Sequence, residues 1–503
     1  MFDEKIDLLK EDIIQSTCDL IKIPSVLSSS SNPSMPFGEN CNHALEYILD
    51  LGRKLGFRTK NVDGYCGYIE FGEGYEMLGI IGHLDVVPVG ENWTYPPFSA
   101  TITNGNIYGR GAIDDKGPVI ASLYAMKVVM DTCKVNKRVR LILGLNEEND
   151  WKCIEYYKAH EEAPSFGFSP DADFPCIYAE KALLSTYLSA PYDTKDKINI
   201  IDIDYNNNAI NVVPKFCKVT LSVDNSINTD TVIHNLTSIV NNNSFHIDIN
   251  KEDSNIILIS YGISAHAAHP DLGKNAISQI LMVLHELLNL YSIQNELIDY
   301  CYQNIGLEYD GKKLGINIED ESGALTLNVA QFDLKNNELV VGMNLRIPIH
   351  TTIDTIKEKF ITSLTPSICV QFSGEKKALY VSKENWLIKT LCDVFKKETS
   401  LDATPIAIGG ATYARAFPNF VSFGANMPGN EDMCHQKDEF ISIDNLILSS
   451  KIYANAIYEL SKRWFLSPSL KSSNKKWPLK GHFYFILFCW FFCFFSIWSI
   501  ISF

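Results

Sequence analysis

Residues 77–87, MLGIIGHLDVV, carry the pattern on which the fold prediction depends. The run is apolar or glycine up to Gly82 and ends with His83 and Asp85, which is typical of a buried strand with a polar carboxyl end. Helix, strand and helix patterns then follow it in turn, over residues 116–133, 139–145 and 150–160. Strands that alternate with helices predict an α/β layer built on a largely parallel sheet.

The pattern changes between residues 184 and 382. Asparagine-rich turns separate alternating strand patterns and helices there, at 218–223, 256–261 and 275–290. Further helical patterns lie outside this segment. Two precede it, at 3–23 and 40–55, and two follow it, at 386–397 and 443–464. We therefore predict a catalytic α/β domain in two parts, 1–183 and 383–465, with an inserted α+β lid domain at 184–382 and a tail at 466–503.

The tail ends in residues 483–503, FYFILFCWFFCFFSIWSIISF, which contain no charged side chain. A run of this length could span a bilayer as one helix, because about 20 apolar residues suffice. Its many Phe and Trp residues also fit readthrough into noncoding sequence. Both interpretations stay open, and neither affects the chemistry, since every candidate site residue lies before the tail.

Composition narrows the class of protein. The 503 residues are 46% hydrophobic and 21% charged, which is ordinary for a globular protein. The net charge of −16 argues against nucleic acid as a partner, because phosphates would be repelled. The 13 cysteines form no CxxC pair, and the charged start, MFDEK, is no signal peptide. These features predict free thiols and a cytoplasmic location, with a C-terminal membrane anchor only if the tail inserts.

Five separate segments carry candidate metal ligands. Taken singly, each also has a plain structural interpretation: a core histidine, a helix N-terminus, a solvated acidic turn, a proline-bounded turn or a surface histidine. Together, His83, Asp114, Glu148 and Asp171 each follow a strand or open a loop where the carboxyl ends of parallel strands should meet. The five segments are GHLD (82–85), GRGAIDDKG (109–117), NEE (146–148), PDADFP (170–175) and CHQKDE (434–439). Two histidines and several carboxylates form a mixed ligand set that suits zinc, with manganese or cobalt as alternatives.

These segments resemble, in the same order, the metal motifs of the M20 metallopeptidases. Within that family the sequence is most similar to PepV-type bacterial dipeptidases, the Xaa-His or carnosinase-like branch, over residues 5–465. The motifs that carry the resemblance are GHLDVVPVG, GRGAIDDKGP, NEENDWKC, SPDADFP and HQKDE, supported by PFGEN and GGATYARAF. The resemblance implies a zinc-peptidase-like catalytic domain with two zinc ions per subunit, acting as a monomer on small peptides.

The resemblance also implies a role for each site residue. Asp114 would bridge the two metals, with His83 and Asp171 completing one site and Glu148 and His435 the other. Glu147 would be the general base, Asp85 would orient His83, and His266 would reach the substrate carbonyl. Residues matching the positions that hold the free carboxylate of a dipeptide are Arg346, Asn211, Gly409 and Gly410. The family typically has a cis peptide bond between the positions of Asp114 and Asp115.

Three departures from the family pattern bear on the site. Asn146 stands where the branch usually has Asp, Ala182 stands where Gly is common, and Asp173 could compete with Asp171 for a metal. The tail beyond residue 466 has no counterpart in the family.

The implied reaction is hydrolysis of the amide bond of a dipeptide by a metal-bridging hydroxide, with Glu147 accepting the proton of the water. The alternative within the family is an N-acyl amino acid deacylase, which would use the same metal ligands. A non-catalytic binding protein that keeps the fold is the third hypothesis, and peptide turnover would exclude it.

Overall fold

The computed structural model describes residues 2–462, and its core consists of two clusters of buried apolar side chains. One cluster draws its residues from the chain before residue 180 and after residue 378. The other draws them from residues 182–368. The first and last parts of the chain therefore form one core together, and the part between them forms the other. The domain bounds 1–183, 184–382 and 383–465 stay a prediction, which this division supports.

Helices flank the sheets throughout the described chain. In chain order they are α1 (Asp3–Leu8), α2 (Lys10–Ile21), α3 (Glu39–Lys54), α4 (Lys116–Thr132), α5 (Lys152–His160), α6 (Thr229–Asn242), α7 (Ala276–Leu290), α8 (Glu296–Asn304), α9 (Ile353–Ser363), α10 (Trp386–Thr399) and α11 (Ile443–Ser461). Two short 3₁₀ helices lie at Pro270–Leu272 and Tyr413–Ala416.

The strands before residue 182 and after residue 378 belong to the first core. They are β1 (Arg58–Val62), β2 (Cys66–Phe71), β3 (Met77–His83), β4 (Thr101–Thr103), β5 (Asn106–Tyr108), β6 (Arg138–Gly144), β7 (Phe166–Ser169), β8 (Ala172–Asp173) and β9 (Ile177–Glu180). The strands of the intervening segment are β10 (Ala182–Pro191), β11 (Ile198–Asp204), β12 (Phe216–Val223), β13 (Ile247–Glu252), β14 (Asn255–Tyr261), β15 (Glu319–Asp320), β16 (Gly323–Ala324), β17 (Thr326–Lys335), β18 (Glu338–Ile347) and β19 (Cys369–Lys376). The chain then continues with β20 (Leu379–Tyr380), β21 (Ile406–Ile408), β22 (Phe420–Ser422), β23 (Ala425–Asn426) and β24 (Phe440–Ser442).

The main sheet has nine strands, in the order β1-β2-β6-β3-β7-β22-β9-β20, with β21 pairing to β9. Its central strands β6, β3, β7 and β22 run parallel. The pairs β1–β2, β2–β6 and β9–β20 are antiparallel, whereas β21 pairs with β9 in parallel. The α/β class is confirmed, and the sheet is parallel at the centre, where β3 is buried along its whole length.

The intervening segment forms two antiparallel four-stranded sheets, ordered β17-β18-β10-β19 and β11-β12-β14-β13. Helix α7, which is apolar on most of its surface, packs against strands of both sheets. This is the α+β arrangement that the alternating strand patterns predicted.

No helix within residues 2–462 is long and apolar enough to cross a membrane. The predicted anchor at 483–503 lies outside the described residues. Each of the eleven cysteines that the structure describes has a free thiol, as expected.

Candidate metal centre and substrate cleft

The candidate metal ligands meet at one edge of the main sheet. His83 is the last residue of β3, Glu148 follows β6, and Asp171 follows β7. Because β6, β3 and β7 are parallel neighbours, their carboxyl ends deliver these three side chains to the same edge. Asp114 joins them from the loop that precedes α4, and His435 joins from the loop that precedes β24.

Asp114 lies between the two histidines. Its Oδ1 is 2.9 Å from His83 Nε2, and its Oδ2 is 3.1 Å from His435 Nε2. His83 Nε2 is also 3.7 Å from Asp171 Oδ2, and His435 Nε2 is 3.0 Å from Glu148 Oε1. The structure thus forms two overlapping groups, His83–Asp114–Asp171 and Asp114–Glu148–His435, and within each the ligand atoms lie within 4.8 Å of one another.

The chemistry of these donors fits two divalent cations. The other ring nitrogen of His83, Nδ1, lies 2.9 Å from the backbone carbonyl of Asp85, to which it donates as Nδ1–H. This hydrogen bond leaves the lone pair of Nε2 directed at Asp114 and Asp171. The three carboxylates repel one another in so small a volume unless cations neutralise them. His83, Asp171 and Asp114 would hold one cation, and Asp114, Glu148 and His435 the other.

Burial alone would lower the pKa of His83 and His435, but the facing carboxylates reverse this effect. The carboxylates of Asp114 and Asp171 hold the pKa of His83 well above its usual range, and those of Asp114 and Glu148 raise the pKa of His435 to about 11. Both imidazoles therefore face strong negative potential, which is the electrostatic condition for binding a cation.

Asp85 supports the site through two different groups. Its backbone carbonyl holds the ring of His83, whose Nδ1 is 3.5 Å from the Asp85 carboxylate. The carboxylate oxygens instead accept hydrogen bonds from the backbone N–H groups of Glu147 and Glu148, both at 3.1 Å. Asp85 thus positions the loop that carries Glu147 as well as the histidine that it was predicted to orient.

Glu147 lies in the cleft and belongs to neither ligand group. Burial, with Asp171 and Glu148 nearby, raises the pKa of its carboxyl well above the usual range, and His83 acts against this. Cations bound beside it would also act in the opposite direction. With cations bound, Glu147 would be ionised and, since it is not a ligand, able to accept a proton.

Glu439 is a positioning residue that the sequence analysis did not single out. Its buried carboxylate accepts hydrogen bonds from the Arg110 guanidinium (2.7 Å) and from the backbone N–H groups of Gly111 (3.1 Å), Ile113 (3.0 Å) and Asp114 (3.3 Å). The peptide bond between Asp114 and Asp115 is cis. Although Glu439 lies within the HQKDE segment, only the tertiary contact reveals that it holds the Asp114 loop.

Gly82, just before His83, is required by close packing against the start of α4. A Cβ atom at this position would lie 2.4 Å from Asp115 Oδ2 and 2.6 Å from Val119 Cγ2. The same Asp115 oxygen accepts a hydrogen bond from the backbone N–H of His83 at 3.1 Å. The strand that ends at His83 is therefore fixed directly to the loop that presents Asp114.

A cleft of about 590 Å³ faces the candidate metal ligands and is closed on the other side by residues of the intervening segment. Asn211, His266, Arg346 and Gly410 all line it, and their contacts with a substrate stay a prediction. Gly409 lies behind this lining, where its carbonyl accepts a hydrogen bond from Arg346 Nη1 at 2.8 Å. Ser185, Asn344 and Lys376 also line the cleft and were not predicted.

Two hydrogen bonds, from Nε and Nη1, hold the guanidinium of Arg346 in place. The residue is 4% exposed, its Nε donates to Asn344 Oδ1 at 2.8 Å, and its Nη1 donates to the Gly409 carbonyl. Within residues 2–462 no acceptor is hydrogen-bonded to Nη2. Burial, with Arg415 nearby, lowers the pKa of Arg346 to about 10, so the guanidinium stays charged at neutral pH. A buried, charged and partly unengaged guanidinium is suited to a carboxylate.

His266 is a neutral donor. Its Nδ1 accepts a hydrogen bond from the backbone N–H of Ala268 at 3.3 Å, which places the ring proton on Nε2. Burial, together with Arg346 and His269, lowers the pKa of His266 to about 4. At neutral pH the ring can therefore donate one hydrogen bond into the cleft without carrying charge.

Two of the residues that depart from the family pattern are hydrogen-bonded away from the candidate ligands. The side chain of Asn146 accepts a hydrogen bond from the backbone N–H of Lys152 at 3.1 Å, at the start of α5. Asp173 accepts one from Asn426 Nδ2 at 3.0 Å and belongs to neither ligand group. Asp173 is therefore engaged elsewhere, and Asp171 is the residue that reaches His83.

The sequence matches a model of peptidase family M20/M25/M40 over residues 79–459. The protein YtjP of Bacillus subtilis (strain 168) is 39% identical over 460 residues, which cover 90% of this chain and 98% of that protein. The Beta-Ala-Xaa dipeptidase of Lactobacillus delbrueckii subsp. lactis is 33% identical over 470 residues, covering 92% of this chain and 98% of that protein.

Solved structures share the fold at low sequence identity. Human carnosine dipeptidase 1 superposes with a TM-score of 0.54 at 14% identity, covering 92% of this chain and 99% of that one. The dipeptidase Dug1p from Saccharomyces cerevisiae does so with a TM-score of 0.54 at 13% identity, covering 92% and 98%.

Proposed function

The chain belongs to peptidase family M20/M25/M40, and from this premise we propose that it is a metal-dependent dipeptidase. Its substrates would be dipeptides with a free C-terminal carboxylate, and its cofactors two zinc ions, with manganese or cobalt as alternatives. One observation carries the proposal: two ligand groups that share Asp114 face the unengaged Nη2 of Arg346 across a cleft of about 590 Å³. The name of the Lactobacillus relative, a Beta-Ala-Xaa dipeptidase, supports this substrate class.

Cations held by these residues would supply Lewis acidity, which lowers the pKa of a water molecule and polarises the scissile carbonyl. Glu147 then accepts the proton of that water and transfers it to the leaving amine. Its position supports this role, because it adjoins Glu148 in sequence yet is not needed as a ligand. Asp85 keeps the base in place through the backbone N–H of Glu147.

Negative charge develops on the carbonyl oxygen as the amide is attacked, and His266 would stabilise it. The Nε2–H of a neutral imidazole donates to this oxygen without the cost of burying a second positive charge beside Arg346. A donor that is already oriented needs no rearrangement during the reaction.

Arg346 would bind the carboxylate of the substrate through Nη2, while Asn344 and Gly409 hold the rest of the guanidinium. Asn211 and Gly410 line the same cleft. The cleft, of about 590 Å³, has room for a dipeptide with its C-terminus at Arg346.

Replacing the base tests the mechanism. We expect Glu147→Gln to lower kcat by about 10²–10⁴-fold, because the amide cannot accept the proton, while the bound metal is unchanged. Steady-state kinetics and metal analysis by mass spectrometry on the same samples measure the two effects. Glu155→Gln, an exposed glutamate on α5, is the matched control. Normal activity in Glu147→Gln would show that another group is the base.

A substrate panel tests the activity itself. Purified protein supplied with zinc, manganese or cobalt should cleave Ala- or β-Ala-led dipeptides and leave N-acetyl amino acids intact. Cleavage of N-acetyl amino acids with no dipeptide turnover would assign the deacylase function instead.

A further inference from the structure

The face of the β17-β18-β10-β19 sheet that lines the cleft carries two positively charged side chains in one row. Leu183 on β10 pairs with Arg346 on β18 and, on its other side, with Lys376 on β19. Paired residues of antiparallel strands point to the same face, and two strand spacings separate the outer two by about 10 Å. Both Arg346 and Lys376 line the cleft, as Leu183 does.

A bulge in β19 brings Lys376 to this face. Ser185 pairs with Ser373 and Leu183 pairs with Lys376, so two steps along β10 correspond to three along β19. The extra residue is accommodated around Gly374, whose φ of 59° lies in the left-handed region that favours glycine. Regular pairing would set Glu375 opposite Leu183. Instead, Glu375 forms an ion pair with Lys357 at 2.6 Å. Because of the bulge, Lys376 rather than Glu375 lies on the side of the sheet that faces the substrate.

Within the part of the chain that the structure describes, no oxygen is hydrogen-bonded to the ammonium of Lys376, although the carboxylate of Glu147 attracts it. Its Nζ lies 3.7 Å from the centroid of the Trp151 ring, a cation–π contact that leaves its N–H donors available. Arg415, another positively charged residue near the cleft, is by contrast engaged through all three of its guanidinium nitrogens. Its nitrogens donate to Glu180 (2.5 Å) and to the carbonyls of Lys377 (2.7 Å), Lys181 (2.6 Å) and Gly410 (2.7 Å).

We propose that Lys376 is a specificity-determining residue that binds a second carboxylate, on the side chain of the C-terminal residue of the substrate. This inference rests on the proposed dipeptidase function, in which Arg346 binds the α-carboxylate. A substrate residue that lies over Leu183 has Arg346 on one side and Lys376 on the other, so one acidic amino acid can engage both cations. Dipeptides that end in Glu or Asp are therefore the preferred substrates.

Lys376 also lies near the base, since Trp151 Nε1 donates to the carbonyl of Glu147 at 2.8 Å. If its role were to support Glu147, its loss would reduce turnover of every dipeptide by the same factor. A role in specificity changes only the ratio between substrates. The ratio is therefore the decisive measurement.

The experiment compares kcat/KM for Ala-Glu, its neutral isostere Ala-Gln, and the reversed pair Glu-Ala and Gln-Ala. In the unaltered protein we expect Ala-Glu to exceed Ala-Gln by about tenfold or more, because a charge-assisted hydrogen bond is lost with the amide. Lys376→Met removes the charge but keeps an unbranched side chain and should bring this ratio to about one, whereas Lys376→Arg should preserve it. Lys377→Met, the exposed neighbouring lysine, is the matched control and should leave the ratio unchanged.

Three results would overturn the inference: equal rates for Ala-Glu and Ala-Gln, a uniform loss in Lys376→Met, or a preference for Glu-Ala that depends on Lys376. Failure of the proposed function is a different result, in which none of the dipeptides is cleaved by the metal-supplied protein. Activity on Ala-Gln thus separates the two failures.

Discussion

Glu439 connects the candidate metal ligand Asp114 to the far end of the chain. It is fully buried, and every hydrogen bond that its carboxylate accepts comes from the segment between Arg110 and Asp114. Arg110 is itself 2% exposed, so the two charges compensate each other in the interior. The Asp114 loop owes its conformation to a residue that lies more than 300 positions away.

We expect Glu439→Ala to lower the free energy of unfolding by about 3–5 kcal/mol, because the buried Arg110 charge loses its partner. Metal affinity should fall as well, since Asp114 is no longer held. Urea denaturation and metal titration measure these effects. Glu431→Ala removes an exposed acid from the same loop and serves as the control. Equal stability of the two variants would contradict the anchoring role.

At the scale of elements, α10 is a helix whose start depends on one side chain. Asn385 precedes the helix, and its Oδ1 accepts a hydrogen bond from the backbone N–H of Leu387 at 2.9 Å. Helix α10 packs against α11, which covers the main sheet, so its stability contributes to the catalytic core.

We expect Asn385→Ala to destabilise the fold by about 1 kcal/mol, the usual cost of losing an N-cap. Asn385→Asp keeps an acceptor at this position and should cost much less. Chemical denaturation of both variants measures the difference. If both variants lost the same free energy of unfolding, the hydrogen bond to Leu387 would not be the source of the stabilisation.

For the whole molecule, bound metal should couple the two halves of the catalytic core. The candidate ligands come from the chain before residue 172 and from His435, so cations that bind the native state oppose its unfolding. At a free metal concentration of 100 times Kd, one site contributes about 2.7 kcal/mol.

A chelator should therefore abolish activity and lower Tm, and zinc, manganese or cobalt should restore both. Thermal denaturation at several metal concentrations measures the effect. His435→Ala should bind one cation fewer and show a smaller dependence of Tm on metal. A Tm that is independent of metal in the unaltered protein would contradict the two-cation site.

Much of the architecture was predictable because its signals are local. The patterns at 116–133, 139–145 and 275–290 correspond to α4, β6 and α7 within a residue or two. The predicted helix at 3–23 is two helices, α1 and α2, which break at Leu9. Apolar periodicity reports which face is buried, and a break of one residue hardly changes it. The monomeric state and the cytoplasmic location stay predictions.

The sequence by itself determined the family, the α/β class and the candidate ligands. These are carried by short motifs at strand ends, where neighbouring residues specify both the element and its chemistry. Only the tertiary structure decided that Glu439 holds the Asp114 loop and that the Asp85 carboxylate holds the Glu147 loop. Both depend on hydrogen bonds between residues that lie far apart in the sequence.

Only the tertiary structure, too, brought Lys376 to the cleft in place of Glu375. Side chains alternate between the two faces of a strand, so a single extra residue reverses which of two neighbours faces the substrate. Gly374 permits the bulge, but the pairing of β19 with β10 determines its position. A register is a property of two strands together, and neither segment of sequence contains it alone.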